Sequence, residues 1–238
     1  MPPEAVAVVV PTYNEADNLA PIAAGVRAHG YSLIIVDDAS PDGTGGLADR
    51  LAREDMGIRV VHRRSKEGLG PAYADGFAAA LDGPATIICQ MDADFSHDPA
   101  ALPGLVQAVA GGVDAAIGSR YVPGGTVPGW PLHRRLLSRW GNRYARALLG
   151  TSIHDMTSGF RAYRSGVLHA LQPATCEASG YGFQVEMARR AHDQALSVRE
   201  IPITFRDRER GESKMHWRIA VEAIWLVTIW GIKRRWRR

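Results

Sequence analysis

The chain has 238 residues, 46% of them hydrophobic and 22% charged, enough for one large domain with an extension and too apolar for a disordered chain. Its two cysteines, Cys89 and Cys176, stand far apart, which excludes a disulfide framework or a zinc-ligand spacing and suits a reducing compartment. The net charge of +3 hides an asymmetry: residues 1–118 hold 7 Lys/Arg against 16 Asp/Glu, and residues 119–238 hold 21 against 9.

The first strand is expected at residues 5–10, an all-apolar run rich in β-formers. Four residues precede it, so no signal peptide is read. Residues 17–28 read as a helix with Leu19, Ile22, Ala23 and Val26 on one face. Strand and helix then alternate: strand 32–36, helix 44–53, strand 58–61, helix 71–81, strand 85–91, helix 99–110, strand 113–117. Apolar strands separated by amphipathic helices predict a mostly parallel sheet covered on both faces. Ligands bind such sheets at the carboxyl ends of the strands. The loops there carry Glu15, then Asp37 and Asp38, then Asp92 and Asp94. Asp37 and Asp38 point to opposite sides after their strand, and Asp38 is the one expected to face a ligand. Carboxylate oxygens are hard ligands for Mg²⁺ or Mn²⁺, and an ion at Asp92 and Asp94 would hold a diphosphate. Asp92 capping the following turn is the other reading of that residue.

The alternation stops after Ile117. Residues 121–130 form a Gly/Pro-rich loop. A long helix is expected over 132–149, with Leu132, Leu136, Trp140, Tyr144 and Leu148 as an apolar stripe and Arg135, Arg139, Arg143 and Arg146 as a basic row. Such a helix is either a core helix with a solvated basic face or one that meets anionic lipid. Residues 219–232 are nearly all apolar, with Glu222 the one charged residue, and are followed by six residues, 233–238, of which all but Trp236 are basic. Fourteen helical residues span about 21 Å, short of the roughly 30 Å hydrocarbon core. An interfacial helix with a polybasic anchor is expected, and a C-terminal helix packed on the domain is its alternative. An anionic membrane surface is therefore a partner, and a peripheral protein on the cytoplasmic face is the expected location. Nucleic acid is not, because the aromatic residues are not interleaved with basic ones as a stacking platform requires.

Several motifs together resemble a known family. Pro11-Thr12-Tyr13-Asn14-Glu15, Val36-Asp37-Asp38-Ala39-Ser40 and Asp92-Ala93-Asp94 are similar to those of inverting family 2 glycosyltransferases of the GT-A fold. Gly118-Ser119-Arg120-Tyr121, Thr157-Ser158-Gly159-Phe160-Arg161, Gly180-Tyr181-Gly182-Phe183-Gln184 and the segment from Phe205 to Lys214 resemble polyprenol (dolichol) phosphate mannose synthases. The resemblance implies inverting transfer of mannose from GDP-mannose to a polyprenyl monophosphate with Mg²⁺ or Mn²⁺. It implies a domain over 1–214, with a donor half to 118 and an acceptor half from 119, and a C-terminal interfacial helix and tail over 215–238. By position, Pro11, Tyr13, Glu15, Val36 and Asp38 would form the nucleoside pocket. Asp92, Ala93 and Asp94 would form the donor and metal site. Ser96 stands where some members carry a Gln metal ligand and is shorter, with room for a water. Arg120 would contact donor or acceptor phosphate, Arg134 and Ser138 the acceptor phosphate, and Arg208 and Lys214 the diphosphate. Asp94, Arg120 and Arg208 are the catalytic candidates. Asp155 is read as either a positioning group or a turn cap, and Glu186 as a satisfied buried acid. Many members carry transmembrane helices after this domain, and a separate membrane-protein partner is the other route to the lipid. A polyprenyl-phosphate glucosyltransferase using a UDP-sugar and a non-catalytic lipid-binding subunit are the alternative functions.

Overall fold

A computed structural model describes residues 5–178, 180–207 and 217–235. Its strands are β1 (Val6–Thr12), β2 (Ser32–Asp37), β3 (Ile58–His62), β4 (Ile87–Gln90), β5 (Ala115–Ser119), β6 (Arg161–Arg164) and β7 (Val198–Pro202). Its α-helices are α1 (Ala16–Arg27), α2 (Thr44–Glu54), α3 (Leu69–Leu81), α4 (Leu102–Ala110), α5 (Leu132–Leu149), α6 (Ser165–Leu171), α7 (Tyr181–Asp193) and α8 (Trp217–Arg235). The seven strands form one sheet in the order β3-β2-β1-β4-β6-β5-β7, and β6 runs against both of its neighbours. This is the mostly parallel α/β sheet flanked by helices that the alternation of elements predicts.

The central strands read as unbroken apolar runs because both faces are covered. On β1, Val6, Val8 and Val10 join one core with Leu19 and Ile22 of α1 and Leu105 of α4. Ala7 and Val9 join the other with Tyr73 and Phe77 of α3 and Phe183 and Met187 of α7. Each such fully buried aliphatic side chain contributes about 1.5–3 kcal/mol relative to exposure. Gly76 lets α3 lie directly on the sheet, since a Cβ there would collide with Val9 and Val36. The helix expected over 99–110 begins as a 3₁₀ turn, Pro99–Ala101, capped by the Asp98 carboxylate, which accepts from the Ala100 N–H at 2.9 Å.

The sequence pattern does not predict β6, α6 or β7. Strand β6 has no apolar alternation, and its Arg161 is 1% exposed. The fold tolerates that buried guanidinium because Ser158, Met156 and Gln184 carbonyls accept from it at 2.8, 2.8 and 2.9 Å.

The boundaries of α5 are those expected, but its apolar stripe does not face the core. Leu132, Leu136 and Trp140 are 67%, 57% and 54% exposed, and the side turned inward carries Asn142, Ala145 and Leu149. The core-helix reading therefore fails for the N-terminal half of α5. Helix α8 packs on α5 and α7 through Val227 and Trp230, while Ile224, Trp225 and Ile232 on its other sides are exposed. It is thus docked by one face and apolar on the other. Among the described residues no helix is long and apolar enough to cross a membrane. The end of the polybasic tail, from 236, lies outside the described residues.

Candidate active site

The carboxyl ends of β1, β2 and β4 bring the acidic loops to one edge, as the alternation of elements predicts. Three non-glycine residues there adopt left-handed backbone: Asn14 (φ 54°), Ala39 (φ 54°) and Phe95 (φ 60°). Each follows a different strand and sits next to or one residue from a candidate carboxylate. Strain of this kind persists where the surroundings over-determine it, and it clusters at functional sites.

The first two loops are knitted together. Pro11 is registered beside Val36. Asp37 accepts from Thr12 Oγ1 at 3.2 Å and from Ser40 N and Oγ at 3.1 and 2.6 Å, so it orders the loop. Ser40 Oγ accepts from Asn14 N, and Thr44 Oγ1 accepts from Glu15 N. Glu15 is buried and accepts from Asn18 Nδ2 at 2.8 Å. Asp38 is buried and meets Arg63 Nη1 at 2.6 Å. Burial raises its carboxyl above the usual range, and Arg63 pulls the other way. Arg63 also binds Asp75 and Glu67, and Lys66 places its Nζ 4.0 Å from the centre of the Tyr13 ring. Sequence reasoning missed Arg63 and Lys66. Their signal was the run 63–66, three basic residues of the seven in the acidic half.

Two side chains far away in sequence hold the central acidic pair. Asp92 Oδ1 accepts from the buried Tyr73 hydroxyl at 3.0 Å, and the Asp92 N–H donates to His97 Nδ1 at 3.2 Å. Burial, then the neighbouring Asp92 charge, pushes the Tyr73 phenol well above its ordinary value, so it stays a donor. His97 is 1% exposed and stacks on Phe160 with centroids 5.0 Å apart, its edge against Phe205. Burial holds His97 below the usual imidazole range, so it is neutral with its Nδ1 accepting. Ala93 and Asp94 are buried, and Asp94 Oδ1 accepts from Ser96 N at 3.0 Å. Ser96 thus supports Asp94 through its backbone. Among the described residues no three His, Cys, Asp or Glu side chains converge into a metal cage. Two carboxylates fit an ion completed by diphosphate oxygens and water, which is how Mg²⁺ is commonly held.

Facing this edge, Arg120 is buried. Its Nε and Nη2 donate to Asp155 at 2.7 and 2.6 Å, and Nη2 also reaches Thr157 Oγ1 at 2.7 Å. Burial opposes ionisation of Asp155, but the charge and hydrogen bonds of Arg120 outweigh it and hold the carboxyl below its usual value. The Tyr121, Trp130 and Phe205 rings surround the guanidinium at 5.3, 5.7 and 5.2 Å. Gly125 permits the loop over residues 121–130 to fold back here, since a Cβ would strike Ser119 O and the Arg120 backbone. Asp155 thus holds the Arg120 backbone and guanidinium in place. Arg134 lies over Trp130 at 4.1 Å and pairs with Asp207 at 2.8 Å, and Ser138 Oγ accepts from Tyr121 OH at 2.5 Å. Arg208 and Lys214 lie outside the described residues. Glu186 is a satisfied acid, accepting from the N–H groups of Glu177 and Ala178 and from Arg190.

Beneath the cleft runs a buried amide pair that sequence reasoning passed over. Gln90 Nε2 donates to Gly159 O at 3.0 Å and to Gln184 Oε1 at 2.8 Å. That fixes the Gln184 amide with its carbonyl toward Gln90 and leaves its buried Nε2 without a partner among the described residues.

Residues 7–172 match the family model described as glycosyl transferase family 2, and the chain belongs to that family. A polyprenol monophosphomannose synthase of Mycolicibacterium smegmatis is 48% identical over 98% of this chain and 89% of its own length. An undecaprenyl-phosphate mannosyltransferase of Micrococcus luteus is 45% identical over 96% and 94%. Among solved structures, glucosyl-3-phosphoglycerate synthase of Mycobacterium tuberculosis, in complex with Mn²⁺, UDP-glucose and phosphoglyceric acid, superposes with a TM-score of 0.71. It is 20% identical over 96% of this chain and 80% of that one, which shows the shared fold.

Proposed function

We propose that the chain is a polyprenyl-phosphate mannosyltransferase that transfers mannose, with inversion, from GDP-mannose to a polyprenyl monophosphate. The observation that carries the reading is the arrangement of the acidic edge of β1, β2 and β4 opposite Arg120, Arg134 and Ser138. The names of the relatives at 48% and 45% identity support the sugar and the acceptor class. Tyr13, Glu15, Pro11, Val36 and Asp38 are assigned to the nucleoside and Asp92, Ala93 and Asp94 to the diphosphate end. Asp92 and Asp94 would hold a divalent ion, Mg²⁺ or Mn²⁺, which supplies neutralisation of the departing diphosphate. Arg208 and Lys214 are assigned to the same diphosphate.

The nucleophile is a phosphate monoester oxygen. Its second pKa is about 6, so it is largely dianionic at neutral pH and needs no strong general base. The protein's task is to bring two phosphate groups together without repulsion. Tyr121 OH donates a hydrogen bond to Ser138 Oγ, which leaves the Ser138 hydroxyl hydrogen for an acceptor phosphate. Arg134 is held by an exposed ion pair with Asp207, a weak bond that a dianion can displace. Arg120, fixed by Asp155, is a positive charge that does not have to reorganise. The exposed apolar residues of α5 and α8 suit a peripheral position on an anionic membrane surface on the cytoplasmic side. A transfer assay tests the reading, with labelled GDP-mannose and UDP-glucose offered in parallel, a short polyprenyl phosphate, and Mg²⁺ or Mn²⁺. Mannose in the lipid fraction, abolished by EDTA, is expected. Transfer from the UDP-sugar instead would overturn the donor assignment.

A further inference from the structure

A cavity of about 560 Å³ opens on the flank of α5. Arg139, Arg143 and Arg146 line one wall, and Tyr121, Thr151 and His154 line the other. No Asp or Glu lines it, and among the described residues no carboxylate pairs with the three arginines. The carboxylate beside His154, that of Glu200, is already engaged by His154 N and Nδ1 and by Asp155 N. Like charges one helical turn apart destabilise a helix, so this row favours a bound anion. The Tyr121 ring stands between this cavity and the reacting side, with Arg120 at 5.3 Å and Arg139 at 5.9 Å from its centre. The cavity adjoins Ser138 through the Tyr121 hydroxyl and the Asn142 amide, and its three arginines are not among the groups assigned to the acceptor phosphate.

The position of the arginines around α5 indicates the kind of anion. At 100° per residue they fill an arc of about 60°. On one side of that arc lies the buried face with Asn142, Ala145 and Leu149; on the other lie the exposed Leu136 and Trp140. A ligand seated there meets guanidinium groups at one end and an apolar, water-exposed stripe at the other. Guanidinium forks match phosphate oxygens bidentately. We propose that this cavity binds the headgroup phosphate of an anionic membrane phospholipid, a molecule distinct from the acceptor and not consumed by the reaction. Occupancy of the cavity sets α5 at the headgroup level, with its apolar stripe toward the acyl chains.

The test is co-sedimentation of the full chain with phosphatidylcholine vesicles, with and without phosphatidylglycerol. The wild type is compared with R143Q/R146Q and with R135Q/R199Q, a control that removes two arginines outside the cavity. Each basic residue near an anionic surface is worth about a fivefold change in affinity, so R143Q/R146Q should bind phosphatidylglycerol vesicles about 25-fold more weakly. The control, in which only Arg135 lies on α5, should lose about fivefold or less, and inorganic phosphate should not displace the wild type at equal ionic strength. Equal losses in both double variants would mean diffuse surface charge and would overturn the site. Displacement by phosphate at matched salt would assign it to a free phosphate and overturn the lipid. Thermal melting of each variant separates loss of fold from loss of binding. Transfer to a short water-soluble acceptor, measured in parallel, should survive in R143Q/R146Q, so failure of the proposed reaction is read independently of vesicle binding.

Discussion

Gln184 holds a buried amide donor that has no partner among the described residues. A Cβ built on Gly159 would lie 3.5 Å from Gln184 Nε2 and 3.5 Å from both Asp92 carboxylate oxygens. That space therefore has an amide donor on one side and a carboxylate acceptor on the other. A sugar hydroxyl, which donates and accepts at once, satisfies both. A buried donor left unsatisfied costs about 1–3 kcal/mol, so its satisfaction by a bound sugar would be worth about fivefold to 150-fold. Gln184→Leu is expected to lower kcat/KM for the sugar nucleotide by that factor and to leave GDP affinity unchanged. Unchanged kcat/KM in a variant that melts normally would remove Gln184 from sugar recognition. At this scale the sequence disclosed Asp37 as a loop-ordering group, because adjacent residues on a strand diverge. It did not disclose Tyr73, His97 or Arg63, whose partners lie 19, 5 and 25 residues away and are met only through the fold.

At the scale of elements, the buried parallel strands and the helices between them were legible because each carries an unbroken or periodic apolar signal. Strand β6 was not, because Arg161 and Arg164 occupy two of its four positions and their burial depends on carbonyls supplied by other segments. Helix α5 was legible in its length and not in its orientation. Its inner face holds Asn142, whose amide reaches Ser138 O and Thr157 and accepts from Met156 N, so polar pairing decides the side that is buried. Helix α8 has the same ambiguity, and two tryptophans resolve it. Trp230 is packed among Ile117, Leu149 and Val185, with Arg189 over its ring at 4.8 Å, and Trp225 is 65% exposed. Trp230→Ala should destabilise the fold by about 3 kcal/mol, as large-to-small core changes do. Trp225→Ser should change stability by less than about 0.5 kcal/mol and weaken partition onto anionic vesicles. Thermal unfolding and co-sedimentation read the two effects, and equal destabilisation by both would mean that α8 has no outward apolar face.

Across the whole molecule, charge follows the fold. The acidic half forms the strands that end at Glu15, Asp38, Asp92 and Asp94, and the basic half supplies Arg120, Arg134 and the arginine row of α5. The charge asymmetry visible in composition thus becomes two opposed walls, one suited to a cation and the other to phosphate. The motifs disclosed which loops meet. They did not disclose that Asp155 and three aromatic rings immobilise Arg120, since that arrangement joins residues 120 to 205 across the sheet. The central claim is that this acidic edge carries out mannosyl transfer, and Asp94 is the more buried of its two candidate metal carboxylates, Asp92 and Asp94. The most direct measurement is single-turnover transfer from GDP-mannose to a short polyprenyl phosphate by the wild type and by Asp94→Asn, with melting temperatures matched. Loss of charge stabilisation at the leaving group predicts a fall of at least about a hundredfold in the variant. Equal rates in the two proteins would contradict the account.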